Sequence, residues 1–155
     1  MSSAQKVSLF LLRLSLGWLF FYAGITKVMN PNWSAAGYLR GAKNFTELYN
    51  FFLQPNILPV INFLNEWGLT LVGAALILGI FVRFASICGI ILMILYYFAL
   101  SFPHPNPNSY IVDDHIIYSA GLLVLVAYRA GRAWGLSRLG DAIFGRIPLL
   151  RSLLD

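Results

Sequence analysis

Charge is what this chain has least of. Only 11% of its 155 residues are Asp, Glu, Lys or Arg, whereas a soluble domain carries about a quarter. That scarcity excludes an ordinary water-soluble globule. With 59% hydrophobic residues and a mean hydropathy of +0.72, the surplus apolar surface has nowhere to go except lipid. Cysteine is scarcer still. The single thiol, Cys88, lies in an apolar run and excludes an internal disulfide or a two-cysteine redox pair. It reads as a small packing residue, so any redox chemistry has to use a bound cofactor, a partner or a quinone. Histidine occurs twice, at His104 and His115. Neither they nor their neighbouring carboxylates match a zinc-ligand spacing, and no metal site is expected. The excess of basic residues gives a net charge of +5, and Arg129, Arg132, Arg138, Arg146 and Arg151 all follow the last apolar run. That distribution suits anionic lipid headgroups. A nucleic-acid partner is not expected, because no basic patch interleaves with stacking aromatics on a soluble module.

What the chain does have is four apolar runs, at about 7–29, 58–81, 83–102 and 109–128, each near the 20 residues a membrane crossing needs. The expected fold is therefore all-α and integral to the membrane. It is a four-transmembrane-helix bundle forming one domain over 1–155, with a basic amphipathic tail at 130–155. The first run is interrupted by Arg13 and lacks a clear small-residue cleavage site, so it reads as a retained helix and not a signal peptide. Asn30-Pro31-Asn32 stops it. From Trp33 to Leu53 the chain is aromatic-rich but broken by Arg40, Lys43 and Glu47. This stretch reads as an interfacial helix or re-entrant segment between helices 1 and 2. Gly79–Arg83 is so short a link that helices 2 and 3 must form an antiparallel hairpin. The bias of Lys and Arg places both termini in the cytoplasm, with the tail lying along the inner leaflet.

Helical spacing aligns Arg13, Gly17, Phe20, Gly24 and Lys27 on one stripe of helix 1. Its glycines admit a close neighbour, and Arg13 and Lys27 are placed to snorkel towards opposite interfaces. On helix 2, Asn62, Glu66, Thr70, Gly73 and Ile77 form a second stripe. Glu66 lies roughly 12 Å inside the helix start, a depth at which a carboxyl is protonated or paired. Helix 4 carries Asp113, Asp114 and His115 near its start. The topology brings these to the same outer side as Lys27 and Glu66. Periodicity turns Asp114 inward with Tyr118 and Gly121, although either aspartate also suits a helix cap. On the inner side Arg13 and Arg83 read as headgroup anchors, or as contacts for a quinone carbonyl or a partner subunit.

Leu12-Arg13-Leu14-x-x-Gly17-x-x-Phe20-x-x-x-Gly24-x-x-Lys27 resembles the opening signature of the DoxX family of small prokaryotic membrane proteins. Glu66-Trp67-Gly68-x-x-Leu71-x-Gly73, followed by Leu78-Gly79-x-x-x-Arg83, is similar to its second-helix pattern. Val112-Asp113-x-His115-Ile116-x-Tyr118 and Ala130-Gly131-Arg132-x-Trp134-Gly135-Leu136 are similar to the fourth helix and its exit. Ser137 departs from the pattern, which has an aspartate there. The resemblance implies a four-helix bundle in a prokaryotic plasma membrane and a link to respiratory or sulfur redox chemistry. DoxD-type members are subunits of thiosulfate:quinone oxidoreductase. It also favours Asp113 with His115 over Asp114.

The expectation is a membrane subunit of a quinone-linked oxidoreductase in which Glu66, Asp113 and His115 handle protons. Lys27, Asp114, Arg13 and Arg83 would make ion pairs or ligand contacts, and Arg132, Arg138 and Arg146 would bind lipid. The chain has no haem, flavin or iron–sulfur signature, so a partner subunit would carry the electrons; a homo-oligomer is the other expected assembly. The alternative is a non-catalytic scaffold or assembly subunit whose charged cluster locks the bundle.

Overall fold

A computed structural model describes residues 1–101 and 109–136, and every regular element in them is helical. In order these are α1 (Ser3–Val28), α2 (Ala36–Arg40), α3 (Thr46–Phe52), α4 (Leu58–Leu78), α5 (Val82–Ala99) and α6 (Asp114–Ala127), then a 3₁₀ turn at Ala130–Arg132. Local chemistry explains the boundaries. Ser2 Oγ accepts from the Gln5 amide at 3.2 Å while Gln5 Oε1 accepts from the Ser2 amide at 2.7 Å, a reciprocal cap on α1. Gly79 adopts φ 72°, the left-handed conformation that closes α4. The chain then reverses through Phe81 into α5, within the short link that the sequence suggests, although α4 ends three residues before the expected position and α5 begins one residue before it.

Helices α1, α4 and α5 are long and apolar enough to cross a membrane, and α6 is a shorter apolar helix. The 14 residues of α6 reach only about 21 Å, short of a hydrocarbon core of about 30 Å. Ser109 to Val112 do not join the helix, contrary to the apolar run. Asp113 takes an extended conformation and its carboxylate accepts from the Ile116 amide at 3.2 Å, so the helix starts after it.

Helix α1 packs antiparallel on α4, and α5 on α6. Gly17 meets Leu76 and Ile77, Gly24 meets Thr70, and Gly73 meets Phe21, which fixes one register along the whole pair. A Cβ at Gly24 would strike the Thr70 backbone, and one at Gly73 the Phe21 backbone. Phe20, Leu76, Leu122 and Leu125 fill the middle. Outward, Trp18, Phe63, Leu71, Ile91 and Leu123 are exposed. Only 33%, 28% and 39% of the most apolar stretches of α1, α4 and α5 is buried within the protein. So large an apolar surface is compatible with lipid and not with water; this is a membrane protein.

The stretch between α1 and α4 forms two short helices, α2 and α3, where a single one is expected. Ala35, Leu39 and Tyr49 pack against Ala99, so the pair folds over the bundle end where α5 finishes.

The opposite end corrects the reading of Arg13. It does not snorkel but is 1% exposed. Its Nη1 donates to the Ala130 carbonyl at 2.9 Å and Nη2 to that of Trp134 at 3.4 Å. A guanidinium with a fixed fork can bridge two carbonyls, and here it ties α1 to the segment leaving α6. A Cβ at Gly79 or Gly135 would stand 2.6 Å from Nη1; both glycines leave room for the cation.

A candidate ligand cavity under α2 and α3

Beneath α2 and α3 lies a cavity of about 470 Å³, within the 300–1,000 Å³ usual for small-molecule sites. Its polar groups include Lys27 from the end of α1, Ser34 before α2, Tyr38 from α2, Tyr49 from α3, Asn65 from α4, Tyr96 from α5 and His115 from α6. Trp33, Tyr49, Phe52, Leu64 and Leu92 are among the apolar and aromatic walls.

The roof hangs from the end of α5. Tyr38 Oη donates to the Tyr96 carbonyl at 2.7 Å, and Tyr49 Oη to that of Leu95 at 2.6 Å. The Lys43 amide reaches the Ala99 carbonyl at 3.0 Å, and Asn44 Nδ2 donates to that of Leu100. Tyr38, Lys43 and Asn44 meet carbonyls that a helix C-terminus leaves without partners, and Tyr49 reaches one residue further back. Burial, then neighbouring Tyr49 and Asp113, push the Tyr38 hydroxyl up to about 12, and burial raises that of Tyr49. Both stay neutral and able to donate at physiological pH. On the α4 side, Asn62 Oδ1 accepts from the Ala35 amide at 2.9 Å.

His115 stands on the wall with its ring edge-on to Tyr96, centroids 5.9 Å apart. Its Nδ1 is 2.6 Å from Asp113 Oδ2. An ionised carboxylate only accepts, so Nδ1 carries the proton and Nε2 is the acceptor of the neutral ring. Asp113 thus does two jobs, capping α6 through Oδ1 and orienting His115 through Oδ2. Asp114, by contrast, is exposed. It opens α6 in register with Tyr118 and Gly121, but at this end of the helix the stripe is no longer covered.

Lys27 Nζ donates to the Ala23 carbonyl at 3.0 Å and lies 5.5 Å from the centre of the Trp33 ring, a cation–π distance. Glu66, half-buried on α4, is near enough to act electrostatically on Lys27 but does not line the cavity. Among the described residues no hydrogen bond reaches its carboxylate. Arg13, Arg83 and Arg132 belong to the opposite end of the bundle. Arg138, Arg146 and His104 lie outside the described residues. A second groove of about 590 Å³, lined by Leu71, Ala75, Phe84, Cys88 and other apolar residues between α4 and α5, has no polar group to do chemistry.

A family model described as DoxX matches residues 8–101. The chain belongs to the DoxX family. No curated protein and no solved structure matches it. In this DoxX chain the matched region runs from α1 through α5 and contains Lys27, Tyr38, Asn65 and Tyr96 of the cavity. Asp113 and His115 come after it.

Sequence reasoning overlooks Asn65, Tyr38 and Tyr96 in this DoxX site. The signal for Asn65 was there, a polar amide about two turns into an apolar helix. It was overshadowed by the charge of Glu66 beside it.

Proposed function

We propose that this protein is the membrane subunit of a quinone-linked oxidoreductase, like the DoxD part of thiosulfate:quinone oxidoreductase, and that the cavity under α2 and α3 takes the quinone ring. The observation that carries this reading is an aromatic-lined cavity with His115 on its wall, oriented by Asp113. The ligand supplies a two-electron, two-proton couple, and the partner subunit supplies the electrons. His115 passes a proton from solvent to the ligand oxygen through Nε2, while Asp113 accepts from Nδ1 and so makes Nε2 the exchanging nitrogen. Glu66, beside Lys27, relays the second proton. The α2–α3 roof covers one side of the cavity.

In this reading α6 is the fourth span. Exposed Tyr110, Ile111 and Val112 continue its apolar length outside the helix. The whole of 1–155 is one domain in a prokaryotic plasma membrane, with α2 and α3 at the outer interface and both termini in the cytoplasm. Arg132, Arg138 and Arg146 contact lipid phosphates.

The test is quinone reduction by the complex co-purified from native membranes into lipid nanodiscs. General acid–base groups contribute at least about 100-fold, so His115→Gln and Glu66→Gln should each cut turnover by about that factor. Unchanged turnover in both variants would remove the proton-handling role.

A second reading has its own observation: Asp113 also caps α6, and Arg13 also clamps the segment after it, so the charged groups lock the bundle. A non-catalytic scaffold would lose folding on Glu66→Gln and show no redox activity when intact.

A further inference from the structure

Asn65 is 9% exposed, lines the cavity, and sits in the interior of an apolar helix. Its Oδ1 accepts from Tyr96 Oη at 2.7 Å. This orientation of the amide follows from the chemistry of the pair. A buried phenol needs an acceptor for its proton, and Asn65 Oδ1 provides one. The two Nδ2 protons then have no protein partner among the described residues, and the atom stays accessible on the cavity wall. An acceptor entering the cavity can meet them.

The other free valences point the same way. Lys27 Nζ has three protons and one hydrogen bond, to Ala23. Both Asn65 and Lys27 therefore offer donors, while Tyr38 has already used its hydroxyl proton on the Tyr96 carbonyl. The acceptor of the neutral His115 ring is Nε2. A ligand that fits this set is flat, presents a carbonyl oxygen to the amide and the ammonium, and exchanges a proton with His115.

We infer that Asn65 Nδ2 donates to a carbonyl oxygen of the bound quinone, and that Tyr96 is the positioning residue that holds the amide in that orientation. This deepens the quinone reading and rests on it. The consequence is spectroscopic: a carbonyl that accepts from the Asn65 amide has its C=O stretch lowered relative to the same carbonyl in lipid.

The test uses the full chain in nanodiscs, titrated separately with decyl-substituted benzoquinone and its quinol. Infrared spectra of a ¹³C-carbonyl-labelled quinone are recorded in parallel. The wild type should bind quinone and shift one C=O stretch to lower frequency. Asn65→Leu, of similar volume and without the amide, should weaken quinone binding tenfold or more and return that stretch to its value in lipid alone. Tyr96→Phe should give a partial loss and a broadened band. The band reports on the hydrogen bond itself, which a change in folding alone would not reproduce. If the wild type binds quinone and Asn65→Leu binds it equally with the same shifted stretch, the inference fails while the quinone reading stands. If the wild type binds neither form, both fall.

Discussion

Replacing Gly73 by alanine should destabilise this protein far more than the same change at Gly68, five residues away on the same helix. At Gly73 the new Cβ would fall inside contact distance of the Phe21 backbone nitrogen and Cα. Carbon atoms rest about 3.5–4.0 Å apart, and backbone cannot rotate aside as a side chain does, so α1 and α4 must separate. Overpacking of this kind costs about 1–3 kcal/mol. At Gly68 the new Cβ meets only Leu92 Cδ1 at 3.7 Å, an ordinary contact, and alanine gains about 1 kcal/mol in helix propensity. The two variants should differ by about 2–4 kcal/mol. Thermal unfolding in one detergent, followed by circular dichroism, reads the difference directly. The same clash shifts Lys27 against Asn65, so ligand binding should weaken in Gly73→Ala alone. Equal melting temperatures for the two variants would refute the α1–α4 register and the close approach that it requires.

Three further outcomes follow from named contacts. Arg13→Lys should destabilise the fold nearly as much as Arg13→Met, because an ammonium cannot bridge the Ala130 and Trp134 carbonyls; thermal melts of the two variants compare them. Asp113→Asn should keep the α6 cap and lose the orientation of His115, whereas Asp113→Ala should lose both and about 1 kcal/mol more. Melting temperatures alongside quinone turnover separate the two effects. The raised Tyr38 hydroxyl keeps its proton in the folded state after the unfolded chain has lost it. Its contribution is therefore complete below about pH 10 and is lost as pH rises towards about 12. Tyr38→Phe should flatten that stretch of a stability-against-pH curve.

The inward face of α1 was legible because small and apolar residues recur at helical spacing, and the structure buries Gly17, Phe20 and Gly24 together. Asp114 was misread because the stripe it shares with Tyr118 and Gly121 is covered at Gly121 and open at the helix start. The role of Arg13 was not legible at all. Its partners are backbone carbonyls 117 and 121 residues away, and any residue type can supply a carbonyl. The cavity hid for a similar reason. Its roof depends on tyrosine hydroxyls meeting carbonyls of α5, a match of positions in space. Tyr96 also had nothing to set it apart from the other aromatics in its run.

The burial of Arg13 also bears on the order of assembly. Helix α1 is made first, and it carries into the bilayer a cation whose acceptors are not yet synthesised. Until the chain has passed Trp134, that guanidinium faces hydrocarbon or water without its two carbonyls, and an unmatched charge at membrane depth costs several kcal/mol. A chain stopped anywhere before this point is left open at its seam, however well its helices have inserted. The clasp can therefore close only once the chain has been made through Trp134.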